Sequence, residues 1–166
     1  MKHILGYLLI AGILASCSHH YYVVRHAEKA AQGPNMTSDV PLTDAGQQRA
    51  NAIRDILRHK KIGAVYSTNT IRTRSTAQPT ADYFGVPVTI YQPPVPSAEF
   101  IQQLKGMKKN VLVVGHSNTV DDLVNGLTGA KSVAGDLADS EYNHLFVVTV
   151  RGKRITFQDL PILPQQ

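Results

Sequence analysis

The stretch NVLVVGHS, residues 110–117, decides the fold class of this chain. Its unbroken apolar run is typical of a strand that is buried on both faces in a parallel sheet. The run ends in glycine, histidine and serine, and Ser117 or Asn118 is placed to cap a following helix that extends to Leu127. The stretch therefore predicts a central parallel strand that leads directly into a helix.

Strand and helix patterns alternate on both sides of this stretch. The strand patterns cover residues 21–25, 62–67, 86–91, 145–151 and 154–157, and the helical patterns cover 42–61, 70–84 and 98–105. Thr43 is placed to cap the first helix, Pro79 lies inside the second, and RGK at 151–153 is a plausible hairpin turn between the last two strands. Alternation with short connections predicts an α/β fold, a three-layer αβα sandwich around a mostly parallel sheet.

The composition is that of an ordinary globular domain. The chain has 166 residues, of which 43% are hydrophobic and 17% charged, and this excludes a disordered chain. The formal net charge is +5, or 16 − 12 = +4 without Lys2 of the predicted signal peptide, and this mildly basic balance suits an anionic ligand. We interpret Lys105, Lys108 and Lys109 as solvated charge, and therefore expect no nucleic-acid partner.

The N-terminus predicts export. Lys2 precedes an apolar run over residues 4–15, which has the length of a signal-peptide core and is too short to span a bilayer. The next letters, LASC, resemble a bacterial lipobox in which Cys17 is lipidated; an ordinary signal peptide with an incidental cysteine is the alternative. Cys17 is the only cysteine, so an intrachain disulfide is impossible. We expect a lipoprotein signal peptide at 1–16, a lipidated tether at 17–20 and one domain at 21–166. Because Ser18 is not an aspartate, the envelope location is the outer membrane if the source has two membranes.

Arginine and histidine follow three of the predicted strands. Arg25 and His26 end the first, Arg72 lies about one helical turn beyond the second, and His116 ends the fourth. If these strands are parallel, their ends converge on one edge, where open α/β sheets bind ligands. Arginine forks match phosphate oxygens in pairs, and helix N-termini at the same edge add N–H donors. The pattern predicts a site for a tetrahedral anion, most simply phosphate.

Four segments in order, VVRHAEK, LTDAGQQRA, VYSTNTIRTRSTA and VLVVGHSNTV, resemble the histidine phosphatase superfamily, which has the phosphoglycerate mutase-like fold. The resemblance implies a metal-independent phosphomonoester hydrolase that needs no cofactor and works through a phosphohistidine. His26 would be the nucleophile, kept neutral by the surrounding cations. Arg25, Arg72 and His116 would clamp the phosphoryl oxygens.

The resemblance also implies a carboxylate that protonates the leaving group. Family members often supply it between the second arginine and the second histidine, where Glu99 stands. Glu28, directly after the first motif, and Asp121, in the helix after His116, are the alternatives.

Two departures from the family pattern bear on function. Thr68, Asn69 and Thr70 replace the usual Ser-Pro-Leu, and the asparagine that phosphoglycerate mutases place after the first motif is absent from KAAQG. The second departure disfavours mutase-type phosphotransfer. A non-catalytic, anion-binding lipoprotein remains the alternative from another class.

The partners that we expect are a small phosphorylated substrate and a membrane, reached through Cys17. No obligate protein partner is inferred. Because the chain is short for the family, we expect an open cleft without a cap domain, rimmed by residues 29–41 and 93–97. The cleft should face away from the membrane, since the first strand runs from the anchored end to His26.

Overall fold

The computed structural model describes residues 18–33, 37–92 and 96–162. The predicted signal peptide and the lipidation of Cys17 therefore lie outside the described residues. The strands are β1 (Ser18–Arg25), β2 (Ile62–Ser67), β3 (Val88–Ile90), β4 (Asn110–Gly115), β5 (His144–Arg151) and β6 (Arg154–Pro161). The helices are α1 (Asp44–Leu57), α2 (Ile71–Phe84), α3 (Ala98–Gly106) and α4 (Val120–Thr128). No helix in these ranges is long and apolar enough to cross a membrane.

The strands form one six-stranded sheet in the order β3-β2-β4-β1-β5-β6. The first four strands in this order pair in parallel, and β5 and β6 are antiparallel additions beside β1. Since β1, β2 and β4 run side by side in one direction, their carboxyl ends meet at one edge, as the sequence predicted.

Helices cover both faces of this sheet, which makes the three predicted layers. Along β1, Tyr21 and Val23 face a core built with α3 and α4, whereas Tyr22 and Val24 face a core built with α1 and α2. A strand that buries both faces needs apolar residues at successive positions, and this explains the unbroken runs in β1 and β4.

Several predicted boundaries were wrong. The first strand begins at Ser18 and not at residue 21, because residues 18–20 pair with β5, so they belong to the sheet and not to a tether. The N-cap position of the helix after β4 is Thr119, which makes no side-chain capping bond, and not Ser117 or Asn118, because residues 117–119 form a turn first. Helix α1 ends at Leu57, because the chain then turns and enters β2 from a left-handed residue, Lys61 at φ 48°. The strand predicted at 86–91 is shorter, and the last strand is longer, because β6 pairs with β5 along its whole length.

Candidate active site

The carboxyl ends of β1 and β4 bring the first two functional residues together. Arg25 is the last residue of β1 and is paired in register with Gly115, the last residue of β4. The amide of His26 donates to the carbonyl of Gly115 at 2.9 Å, so the sheet ladder fixes the backbone of His26 directly beside that of His116.

The ring of His26 is buried and its orientation is fixed. Its Nδ1 lies 2.8 Å from the carbonyl oxygen of Ala27, so Nδ1 carries the proton and donates it, while Nε2 keeps a lone pair. Burial, followed by the charges of Arg72 and Arg25, lowers the pKa of His26 to about 3. The imidazole is therefore neutral at physiological pH and has the electronic form of a nucleophile.

His116 lies across from His26, with the two ring centroids 5.5 Å apart in an edge-to-face arrangement. Its Nε2 is 2.8 Å from Thr68 Oγ1, and its Nδ1 is 3.5 Å from Arg72 Nη2. Burial, followed by Arg72 and Arg25, lowers the pKa of His116 to about 4. A bound dianion between these groups would raise that pKa, because an opposite charge favours the imidazolium.

A loop before β5 holds the guanidinium of Arg25. Its Nη1 donates to the carbonyl oxygens of Ala138 at 2.7 Å and Glu141 at 3.2 Å, and its Nη2 lies 3.4 Å from the carboxylate of Asp139. The ring of Tyr142 lies 4.2 Å from the guanidinium carbon, in a cation–π contact. Arg25 is thus fixed on one side and can serve as a preorganised cation.

Arg72 is held from the opposite side by the loop before α1. Its Nη1 donates to the carbonyl oxygen of Ser38 at 3.1 Å and lies 3.8 Å from the carboxylate of Asp39. Asp39 also accepts from the amide of Ile71 at 2.7 Å, which ties the same loop to the start of α2.

Both arginines keep a buried donor without a partner. Within the described residues, Nε of Arg25 and Nε of Arg72 have no hydrogen-bond acceptor. A buried unsatisfied donor costs about 1–3 kcal/mol. An anion with several oxygen atoms, such as a phosphoryl group, could accept hydrogen bonds from both donors.

These side chains surround a cavity of about 290 Å³. Its lining comprises Arg25, His26, Lys29, Thr70, Arg72, His116, Ser117, Asn118, Thr119 and Asp139. The four residues that the sequence singled out for phosphate chemistry therefore share one pocket. In the described ranges, no group of three or more His, Cys, Asp or Glu side chains is placed to hold a metal ion.

The three carboxylates proposed from the sequence lie outside this lining. Glu99 is exposed in the first turn of α3, where bonds to its own backbone amide and to Ser97 lower its pKa. Glu28 makes short bonds to Arg49, with a closest approach of 2.6 Å, and these lower its pKa despite burial. Asp121 is buried, and burial raises its pKa. An elevated pKa suits a proton donor, but the position of Asp121 does not place it on the cavity.

The sequence reasoning missed Asp139 and Tyr142, which reach the site from the loop that precedes β5. Asp139 is the one carboxylate among the described residues that line the cavity. A signal was available in ADSEYNH, a polar segment directly before a strand, but only the antiparallel placement of β5 beside β1 brings that segment to the cavity.

Comparison with known proteins agrees with this geometry. Residues 21–92 match the model described as "Histidine phosphatase superfamily (branch 1)". A sequence search of curated proteins found no match.

Solved structures share the fold. A putative phosphohistidine phosphatase SixA from Agrobacterium tumefaciens is 22% identical, with a TM-score of 0.61 over 84% of this chain and 96% of that chain. A protein histidine phosphatase SixA complexed with tungstate is 19% identical, with a TM-score of 0.66 over 86% of this chain and 96% of that chain. A mycobacterial glucosyl-3-phosphoglycerate phosphatase is 13% identical, with a TM-score of 0.62 over 88% and 100%. At these identities the likeness shows a common fold and leaves the substrate open.

Proposed function

We propose that this chain, whose residues 21–92 match the histidine phosphatase superfamily model and whose fold is shared by solved phosphatases, hydrolyses small phosphomonoesters, without a metal ion, through a phosphohistidine on His26. The observation that carries the proposal is the pair of buried Nε–H groups, on Arg25 and Arg72, beside a neutral histidine whose Nε2 is free of a proton. A phosphoryl group satisfies the donors and offers an electrophile to that nitrogen.

The reaction has two displacement steps. In the first, the lone pair of His26 Nε2 forms a bond to phosphorus while the bond from phosphorus to the ester oxygen breaks, and the leaving alcohol takes that electron pair and a proton. In the second, water attacks phosphorus and gives a proton to the carboxylate that protonated the alcohol, while the P–N bond breaks and its electron pair returns to Nε2. Arg25, Arg72 and His116 stabilise the charge that builds on the equatorial oxygens in both steps. The guanidinium groups supply the positive charge that a metal ion would otherwise supply.

The proton for the leaving group is proposed to come from Asp139. Its side chain is exposed at the rim of the cavity, 3.4 Å from Arg25, whereas Glu99, Glu28 and Asp121 lie outside the cavity lining. Glu99 remains the carboxylate that the family resemblance suggests, and the two assignments are separated experimentally below.

We further propose that the substrate is extracytoplasmic. Support comes from the sequence of residues 1–17, with its apolar run and lipobox-like LASC. β1 begins at Ser18 and ends at Arg25, so its eight residues place the cavity roughly 25 Å from the point where this segment joins the domain. A lipid anchor at Cys17 would thus leave the cavity facing soluble phosphorylated compounds. In a source with two membranes, the outer membrane is the proposed location.

The test is phosphatase activity of the full chain in mild detergent, on an aryl phosphate, with excess EDTA. His26→Ala should abolish hydrolysis, and His59→Ala, which removes an exposed histidine outside the cavity, should leave it intact. A phosphoryl label that is acid-labile, alkali-stable and missing from His26→Ala should be trapped on the protein.

Three results would contradict the proposal. Hydrolysis that stops with EDTA would assign the chemistry to a metal. Hydrolysis that persists in His26→Ala would remove the phosphohistidine. A wild-type protein that binds inorganic phosphate without hydrolysing any of a panel of esters would support the anion-binding lipoprotein instead.

A further inference from the structure

The end of the sheet opposite the cavity carries a cluster of positive charge, here called the basic edge. It is formed by the turns that enter β2 and β4 and by the β5–β6 hairpin. Its exposed members are Arg58, Lys60, Lys61, Lys108, Lys109, Arg151, Lys153 and Arg154.

The sheet order makes these turns neighbours. Ile62 at the start of β2 is paired with Asn110 at the start of β4, and the Asn110 side chain donates to the carbonyl of Lys60. β1 lies next to β4, and its first residue, Ser18, is paired with Arg151 at the end of β5. The cations therefore lie at the same end of the sheet, in the turns beside β2, β4, β5 and β6.

Acidic residues are concentrated at the other end of the molecule. Nine of the twelve acids in the chain lie in loops or first helical turns at the cavity end: Glu28, Asp39, Asp44, Glu99, Asp121, Asp122, Asp136, Asp139 and Glu141. Within the part of the chain that the structure describes, no salt bridge involves a member of the basic edge. The positive charge of this edge is therefore not neutralised internally.

Two of these lysines occupy backbone positions that favour other residues. Lys61 and Lys108 both have φ of 48°, in the left-handed region where glycine and asparagine are the ordinary choices. A lysine in this backbone conformation lowers the stability of the fold, and neither lysine forms an ion pair within the described residues that would offset this cost. A role for the charge outside the fold would account for both positions.

An apolar groove of about 490 Å³ adjoins the edge. Tyr21, Leu127, Val150 and Ile155 contribute its apolar lining, and Lys108 contributes positive charge. Lys105, His19 and Gly152 complete the lining. Cations beside an apolar floor match a phospholipid, whose phosphate meets lysine and whose hydrocarbon meets the floor. Residues 1–17 join the domain at this same edge, since β1 begins there.

We propose that the basic edge and its groove form a docking surface for a bilayer rich in anionic phospholipid, which holds the domain with its cavity pointing away from the membrane. Juxtamembrane cations attract such a surface individually and with strong dependence on salt. The docking does not depend on the catalytic proposal and would hold for a protein without turnover.

The test compares partition of the full chain into vesicles of phosphatidylcholine alone and of phosphatidylcholine mixed with phosphatidylglycerol. The apolar segment at 4–15 contributes to both compositions, so the ratio of the two partition coefficients reports the edge. The wild type should prefer the anionic vesicles, and rising salt should weaken that preference. Lys61→Asn and Lys108→Asn should each reduce it about fivefold. Their thermal midpoints should stay equal or rise, because asparagine tolerates the left-handed backbone.

Arg74→Gln is the matched control, because Arg74 is exposed, lies in α2 at the cavity end and bonds only weakly to the Asn69 side chain at 3.2 Å. It changes net charge by the same amount and should keep the wild-type ratio. Lys60→Gln with Lys109→Gln repeats the test at positions free of left-handed strain. Equal wild-type partition into both vesicles overturns the proposal. The proposal is also overturned if the edge variants keep the wild-type ratio or if Arg74→Gln lowers that ratio as much as they do. Tighter binding to a duplex oligonucleotide than to the anionic vesicles would overturn it as well.

Discussion

Thr68 Oγ1 lies 2.8 Å from Nε2 of His116, and the same hydroxyl donates to Thr73 Oγ1 at 2.9 Å. Because the Thr68 hydroxyl donates its only proton to Thr73, it must accept a hydrogen bond from His116. Nε2 of His116 therefore carries the imidazole proton. Nδ1 of His116 is then the nitrogen that faces Arg72. The threonine that departs from the usual family sequence thus sets the tautomer of the histidine that we propose to bind phosphate.

Thr68→Val should therefore reduce kcat/KM roughly tenfold, because the ring of His116 loses the hydrogen bond that orients it. A tenfold loss corresponds to the net contribution of about one hydrogen bond. Thr68→Ser keeps the hydroxyl and should restore activity. Thr80→Val is the matched control: Thr80 Oγ1 is buried without a partner in the described structure, so its removal should leave activity unchanged and stability equal or higher. Full activity in Thr68→Val would show that the hydrogen bond does not position His116.

The depressed pKa values of the two site histidines make folding stability depend on pH. Both histidines have a pKa near 6.5 in the unfolded chain. In the folded protein the pKa of His26 is about 3 and that of His116 is about 4. Below 6.5 the unfolded chain therefore binds more protons than the folded one, and stability falls as the pH falls through this window. Above 6.5 both histidines are neutral in either state, and this contribution vanishes.

His26→Gln should flatten the dependence of the thermal midpoint on pH between about 4 and 6.5, because one of the two unequal titrations disappears. The carboxylates contribute equally to wild type and variant, so the difference between the two curves isolates the histidine. His59→Gln, at an exposed position outside the cavity, should keep the wild-type slope. Parallel curves for wild type and His26→Gln would show that His26 is not held neutral by the fold.

The assignment of Asp139 as proton donor predicts a dependence on the leaving group. An alkyl phosphate needs its leaving oxygen protonated, whereas a nitrophenyl phosphate does not. Asp139→Asn should therefore slow hydrolysis of alkyl phosphates roughly a hundredfold, the lower range for general acid catalysis, and affect the nitrophenyl ester far less. Glu99→Gln, which removes a carboxylate outside the cavity lining, should give unchanged rates on both substrates. The reverse pattern would return the role to Glu99, the residue suggested by the family resemblance.

Much of the site could be predicted because it depends on strand direction alone. The apolar runs of β1 and β4 indicated strands buried on both faces, and such strands are parallel in α/β folds. Once β1, β2 and β4 are parallel, Arg25, His26 and His116 must reach the same edge, and Arg72 follows one turn into α2. No side-chain geometry was needed for that step.

The remaining parts depend on pairings that local pattern does not encode. The sequence predicts that β5 and β6 form a hairpin, but nothing in LFVVTVR indicates that β5 lies antiparallel to β1. Asp139 and Tyr142 therefore could not be placed. Glu99 was suggested by the order of residues in the family and not by any local pattern. In the structure Ser97 caps α3, and Glu99 lies exposed in the first turn of that helix.

The close approach of α1 to the first motif gives a final prediction. A Cβ on Gly46 would collide with the backbone carbonyl of Glu28, which is held in place by the hydrogen bond that it accepts from the amide of Thr43 at 2.9 Å. Gly46→Ala should therefore destabilise the protein by about 1–3 kcal/mol, the usual cost of overpacking. Gly106→Ala is the matched control: nothing lies within 4 Å of its new methyl group, and alanine in α3 should be neutral or stabilising. Chemical denaturation of both variants measures the difference, and an equally stable Gly46→Ala protein would show that α1 can withdraw from the motif at little cost.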